Sequence, residues 1–382
     1  MGFTLSLFFF LFFFFPAAFA QTENYKLTQV FKGSDIIWGF DFVSENEMLI
    51  SEKEGGLKLI DLKTGKATPI SGGPKPVVTG QGGLLDVKIH RTEGKTWVYL
   101  TTTAAPEKGD EKTKKSTQTT ALYRAEWATP ALRGLTRIFE AEPGVDSSHH
   151  FGSRLVFPKD GGIFMSLGER NERDRAQDVS QHWGKVVRLT LDGKPFPSNP
   201  FIKGEKVGGK TPRPEIYSYG QRNPQGLALH PETGDLFESE HGPRGGDEIN
   251  LIEPGKNYGW PVITYGREYW GPKIGTNEKS GFEQPLKYYV PSIAPSSLII
   301  YSGKKFPEFK NAFIQGALVL QHLNISFVEF DSKAKGTARY KFGKELRLFN
   351  DMHQRMRNVG ESPTGDLYIS TDSGLVFRID RK

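Results

Sequence analysis

Short runs of alternating apolar and polar residues, each entered through a Gly or Asn turn, recur from one end of this chain to the other. NEMLI at 46–50, TWVYL at 96–100, GGIFMS at 161–166, GDLFE at 234–238, NAFIQ at 311–315 and GDLYI at 365–369 make up the series. Period-two alternation after a turn residue marks a strand in a hairpin. Several runs are followed by a second alternating segment: LKLIDLKTGK, KVVRLTLDGK, ISFVEFDSK and LVFRIDRK. A strand group repeated about six times, at roughly 50- to 75-residue intervals, predicts an all-β propeller in which each blade is one small twisted sheet. A β-sandwich is the alternative, and repetition along the whole length argues against it. Because strands run to the last residues, a strand near 25–30 is expected to complete the final blade and close the ring. Long segments at 108–120, 171–183 and 257–279 are too long for turns. The first is charged, and the other two are expected to roof one end of the channel, where ligands bind.

The first twenty residues, MGFTLSLFFFLFFFFPAAFA, are an apolar run ending in Ala18-Phe19-Ala20 before polar Gln21. That is the form of a secretory signal peptide (residues 1–20), leaving 21–382 as one propeller domain that is periplasmic or secreted. A membrane anchor is disfavoured because Pro16 interrupts the run and no basic cluster follows it. The chain has no Cys, so neither disulfides nor a lipid on a cysteine can tether it. Its net charge of +6 comes without an aromatic and basic stripe, which argues against a nucleic-acid reader. The same positive balance suits an anionic small ligand.

The most unusual segment is EHGPRGGDEINLIEPGKNYGW at 240–260. Gly242-Pro243 sets a turn with carbonyls to offer, Asp247-Glu248 supplies carboxylates, and Tyr258 lies in a second tight turn. Oxygen donors of both kinds suit a hard cation such as calcium; solvated acids beside an Asn/Gly turn are the plainer alternative. His149-His150 precedes a strand, where neighbours face opposite ways, so one of the two can turn inward as a general base. Glu169 in SLGERN is a candidate carboxylate to orient it. Arg222-Asn223, and the pair Arg355 and Arg357 set two apart on a strand, are candidate anion clamps. Gln81 lies in a Gly-flanked loop open to a ligand. No P-loop, strand-to-helix GxGxxG, HExxH or GxSxG is present, which weighs against nucleotide cofactors and the common hydrolase designs.

In order along the chain, GQGGLLDV, HHFGSRLVF, SLGERN, YGQRNPQGLA, EHGPRGGDEINLI, NYGWP, the RMR strand and GDLYISTDSG resemble the soluble glucose and aldose sugar dehydrogenases that depend on pyrroloquinoline quinone (PQQ). The likeness spans nearly all of residues 21–382 and implies a six-bladed propeller. It implies His150, four before Arg154, as general base and Glu169 in place of the usual orienting Asp. Gln81, Arg222, Asn223, Tyr269, Arg355 and Arg357 match quinone contacts. Gly242 and Pro243 match carbonyl ligands of a calcium on the cofactor, and Glu248 and Tyr258 a second, structural calcium. The implied reaction is oxidation of an aldose at its anomeric hydroxyl to a lactone, with electrons passed to an external acceptor. One departure stands out: Val319 occupies a position where the family usually has a quinone-contacting Lys, and Gln321 one where a basic residue is common, leaving Lys304, Lys305 or a loop basic residue to compensate. Two other classes follow from the same residues: a non-catalytic, calcium-stabilised propeller that binds sugar or a protein partner, favoured by Val319, and a calcium-dependent lactonase, for which the arginine pair would be unnecessary.

Overall fold

The computed structural model describes residues 24–109, 111 and 116–382. The expected signal peptide and the middle of the charged loop lie outside them. Among the described residues, six antiparallel four-stranded sheets follow one another. Five are built from consecutive strands, beginning with β2 (Ile37–Ser44), β6 (Leu84–Thr92), β10 (Leu155–Val156), β14 (Pro224–Leu229) and β18 (Pro295–Ile300). The sixth has the order β1-β24-β23-β22, so β1 (Tyr25–Lys32) pairs with β24 (Leu375–Arg381) beside β23 (Leu367–Thr371) and β22 (Met356–Glu361). The expected closure is therefore observed: the two ends of the chain share a blade, and the molecule is a six-bladed propeller. The charged loop ends earlier than its sequence suggests, because Thr119 and Thr120 already belong to β8 (Thr119–Ala128).

The first strands of the blades touch one another in sequence around the ring and surround its axis. Between blades lie the apolar clusters, such as Leu49, Val87, Val98 and Leu100 between the first and second blades, and Phe237, Leu298 and Phe313 between the fourth and fifth. A hydroxyl on the second strand of a blade also bonds across to the next. Ser51 donates to the carbonyl of Leu85 at 2.6 Å, Thr101 to Ser153 at 3.0 Å, Ser166 to Pro224 at 3.1 Å and Ser370 to Ile37 at 2.8 Å. These buried bonds satisfy carbonyls that the first strands do not pair, and they fix neighbouring blades in height.

Candidate active site

At one end of the axis the loops enclose a cavity of about 250 Å³, lined by Trp38, Gln81, Phe151, Asn223, Arg355 and Arg357 among others. His150 lies directly before Phe151, in a loop rather than on a strand. Its backbone is left-handed, with φ 52°, so the turn, not strand alternation, separates it from exposed His149. Glycine makes this packing possible: a Cβ on Gly168 would stand 2.3 Å from the carbonyl oxygen of His150. Buried Arg170 then holds the loop from behind, donating to the carbonyls of Ser147, His149 and Gln118. Its guanidinium lies 3.8 Å from the Phe151 ring centre.

His150 Nδ1 is 2.5 Å from Glu169 Oε2, and both side chains are buried. The backbone N–H groups of His150 and Asn171 donate to Gln81 and Glu169 at 2.9 and 2.7 Å. Burial lowers the imidazole pKa; the Glu169 charge opposes that shift, and the Arg222 charge adds to it. Burial pushes the Glu169 carboxyl up, but His150 and Arg222 more than offset it, and the net shift is downward. The pair is thus a neutral imidazole beside a carboxylate. An ionised carboxylate can only accept, so the imidazole proton sits on Nδ1 and Nε2 keeps its lone pair. Nε2 has no hydrogen-bond partner among the described residues.

The two arginines converge, though not by strand alternation: Arg355 precedes β22 and Arg357 sits at a break in its register. Arg355 and Arg357 face the same side and share Asp372: Arg355 Nε is 2.7 Å from Oδ2, while Arg357 Nε and Nη2 lie 2.7 and 2.9 Å from Oδ1 and Oδ2. Asp372 carries no signal in the sequence, because only the β22–β23 register, Met356 opposite Thr371, brings it there. Arg222 donates from Nη1 to the carbonyls of His241 and Gly242, both at 3.0 Å, and its buried Nε is unpartnered. Asn223 accepts from the Gly152 N–H at 3.3 Å. Tyr269 is 67 % exposed on a loop and does not line the cavity. Val319 is also exposed, at 58 %, and Lys304 and Lys305 do not replace a cation there, being engaged with Pro363 and Asp366. Lys53, unremarkable in sequence, does line the cavity and makes no ion pair among the described residues. Cations in excess over Asp372 and three amide side chains make the cavity fit a polar, anionic ligand, while Arg222 lines a separate small cleft beside it.

The 240–260 segment divides in two. Asp247 and Glu248 do not converge, because neighbours on β16 (Asp247–Ile252) face opposite ways. Asp247 is consumed by the N–H groups of Gly242, Ile293 and Ala294 and the hydroxyl of Ser292. Glu248 instead lies with Gly242 and Tyr258 around a small cleft under Arg222. Burial first, and the charge of Glu240 second, raise Glu238 and Glu248 well above the usual carboxyl range, and burial raises Glu240 to about 7. Asn250 bonds Glu238 and Glu248 at 3.2 Å each, and Glu238 Oε2 has no partner. Among the described residues no three acidic or imidazole side chains form a ready metal cage. The donor set expected for calcium is mostly backbone carbonyl, however, and buried carboxylates short of positive charge fit a divalent cation.

A family profile described as glucose / sorbosone dehydrogenase matches residues 34–378. Aldose sugar dehydrogenase YliI of Escherichia coli (strain K12) is 37 % identical over 351 residues, covering 90 % of this chain and 89 % of its own length. Quinoprotein glucose dehydrogenase B of Acinetobacter calcoaceticus is 30 % identical over 93 % of this chain and 87 % of its own. A solved structure described as the PQQ-bound form of aldose sugar dehydrogenase from Streptomyces coelicolor superposes with a TM-score of 0.74 at 25 % identity, covering 94 % of this chain and 98 % of that one.

Proposed function

The chain belongs to the glucose / sorbosone dehydrogenase family, and on that footing we propose that it is a PQQ-dependent aldose dehydrogenase. It would oxidise the anomeric hydroxyl of an aldose to the lactone and pass electrons to an external acceptor. The observation that carries this reading is the neutral, carboxylate-held His150, whose partner Gln81 and neighbour Phe151 line a cationic cavity. When bound there, the quinone supplies a two-electron hydride acceptor for C1, polarised by a calcium acting as Lewis acid. His150 Nε2 takes the proton of the O1 hydroxyl as the C1–H electron pair departs, so O1 becomes a carbonyl oxygen. Glu169 keeps the imidazole in the productive tautomer and stabilises its positive charge until the proton passes to solvent.

Arg222, Asn223, Gln81, Arg355, Arg357, Lys53 and Tyr269 would hold the quinone's carboxylates and carbonyls. The carbonyls of Gly242 and Pro243 would hold the calcium beside it, and Glu248 with the carbonyl of Tyr258 a second, structural calcium. The PQQ-bound Streptomyces coelicolor relative supports the choice of cofactor. Removal of residues 1–20 would leave a single-domain periplasmic or secreted protein; among the described residues no helix is long and apolar enough to cross a membrane.

Val319 favours a second reading, a sugar-binding propeller without turnover. Reconstitution of the purified chain with PQQ and calcium, followed by dye-linked oxidation of a panel of aldoses, separates the two. Quinone uptake with sugar-dependent dye reduction is expected, and sugar binding with neither would establish the alternative.

A further inference from the structure

We propose that Arg154 is a positioning residue for the arginine clamp: from the axis of the propeller it holds the carbonyl of Arg357 and thereby aims that guanidinium into the cavity. What the cavity holds is taken from the function proposed above; the contacts of Arg154 are independent of it.

Arg154 is buried, stands just before the two-residue strand β10, and sends its nitrogens to three different blades. Nε donates to the carbonyl of Gln225 at 2.8 Å, Nη1 to Asp86 Oδ1 at 3.2 Å and Nη2 to the carbonyl of Arg357 at 3.1 Å. A fourth blade supplies Trp38, whose ring centre is 4.1 Å from the guanidinium. All four partners lie at breaks in the register of first strands. The breaks fall between Ile37 and Gly39, Leu84 and Val87, Pro224 and Gly226, and Met356 and Asn358. A bulge removes a residue from the ladder and re-aims its side chain. Trp38, Gln225 and Arg357 are bulged residues, and each lines the cavity.

The geometry that turns these side chains toward a ligand also frees buried carbonyls, which need donors. For Gln225 and Arg357 that donor is Arg154. A planar guanidinium with donors in three directions can serve three blades at once, which an ammonium on a single-point stem cannot. Arg154 also floors the site: a second chamber of about 270 Å³, lined by Arg154, Asp86 and Asn358, lies beyond it along the axis.

Arg154→Lys keeps a positive charge opposite Asp86 and removes the fork. Titrating PQQ with calcium into cofactor-free protein, followed by quenching of tryptophan emission, should show binding weakened about tenfold. On an Arg357→Ala background the same substitution should change affinity by less than about twofold, since its effect runs through Arg357. An equal loss on both backgrounds, or no loss on either, overturns the proposal. A crystal structure of the cofactor-free Arg154→Lys protein tests the same role without the cofactor. Arg357 displaced from Asp372 supports the positioning role, and an unchanged Arg357–Asp372 pair refutes it. If wild-type protein takes up no PQQ, the proposed function falls, while the position of Arg357 in that crystal structure still supports or refutes the role of Arg154. Should Arg154→Lys fail to fold, Arg154→Gln with Asp86→Asn leaves no buried unpaired charge and takes its place.

Discussion

His150, Arg170 and Asn171 all adopt left-handed backbone, with φ of 52°, 63° and 61°. Each such residue costs about 1 kcal/mol or more and persists only where its surroundings fix it. Here Arg170 and Glu169 do the fixing, and the strain presents an imidazole with a free Nε2. The residue types were legible in the sequence, and so was the pairing of His150 with Glu169. The turn that separates His149 from His150 was not, because a His-His pair before a strand reads as simple alternation. Lys53 and Asp372 were invisible for a related reason: each reaches the site only through pairings distant in sequence. The His150–Glu169 pair gives a prediction with a sign. His150 acts when neutral, so activity is lost as pH falls through its lowered pKa. Glu169 raises that pKa against the effect of burial. In the reconstituted enzyme, Glu169→Gln should therefore lower kcat by about 10²-fold or more and move the acid limb of the pH–rate profile to lower pH. An acid limb left in place would show that the carboxylate does not act on His150.

Each blade consists of strands that differ in how openly they declare themselves. The second and third strands, such as β3 (Glu47–Glu52) with β4 (Leu57–Asp61), pair without a break in register and carry the apolar runs seen in the sequence. First strands were harder to see because bulges break their period, and β10 is only two residues long. Some fourth strands, β5 (Ala67–Pro69) among them, are short edges with little pattern to read. The cross-blade hydroxyls join these elements at fixed height. Ser51 accepts from the Gly39 N–H at 3.1 Å and donates to Leu85. Ser51→Ala strands both groups in the interior and should cost about 1–3 kcal/mol, visible as a lower melting temperature. A melting temperature equal to wild type would show that the hydroxyl is dispensable.

With no cysteine in the chain, ring closure rests on non-covalent contacts between its two ends. β1 and β24 supply these along their full pairing, reinforced by Tyr25 bonding Glu308 at 2.6 Å and Arg381 bonding the same carboxylate at 2.9 Å. Deleting residues 24–32 exposes the edge of β24 and the apolar cluster beneath Tyr25. It should sharply lower the melting temperature or yield aggregated protein; a soluble product melting as wild type would refute the role of β1 as the closing strand. Blade count was legible from repetition and closure from strands running to the last residues, whereas the ring of bulges at the base of the cavity emerges only when the blades are assembled. On the closed ring depends the proposal that a cationic cavity oxidises sugar with His150 as base, and single-turnover reduction of bound PQQ by saturating aldose reads that step directly. His150→Asn should bind the quinone as wild type does and reduce it at least about 10²-fold more slowly. Reduction by His150→Asn at the wild-type rate would remove His150 as the base and the proposed mechanism with it.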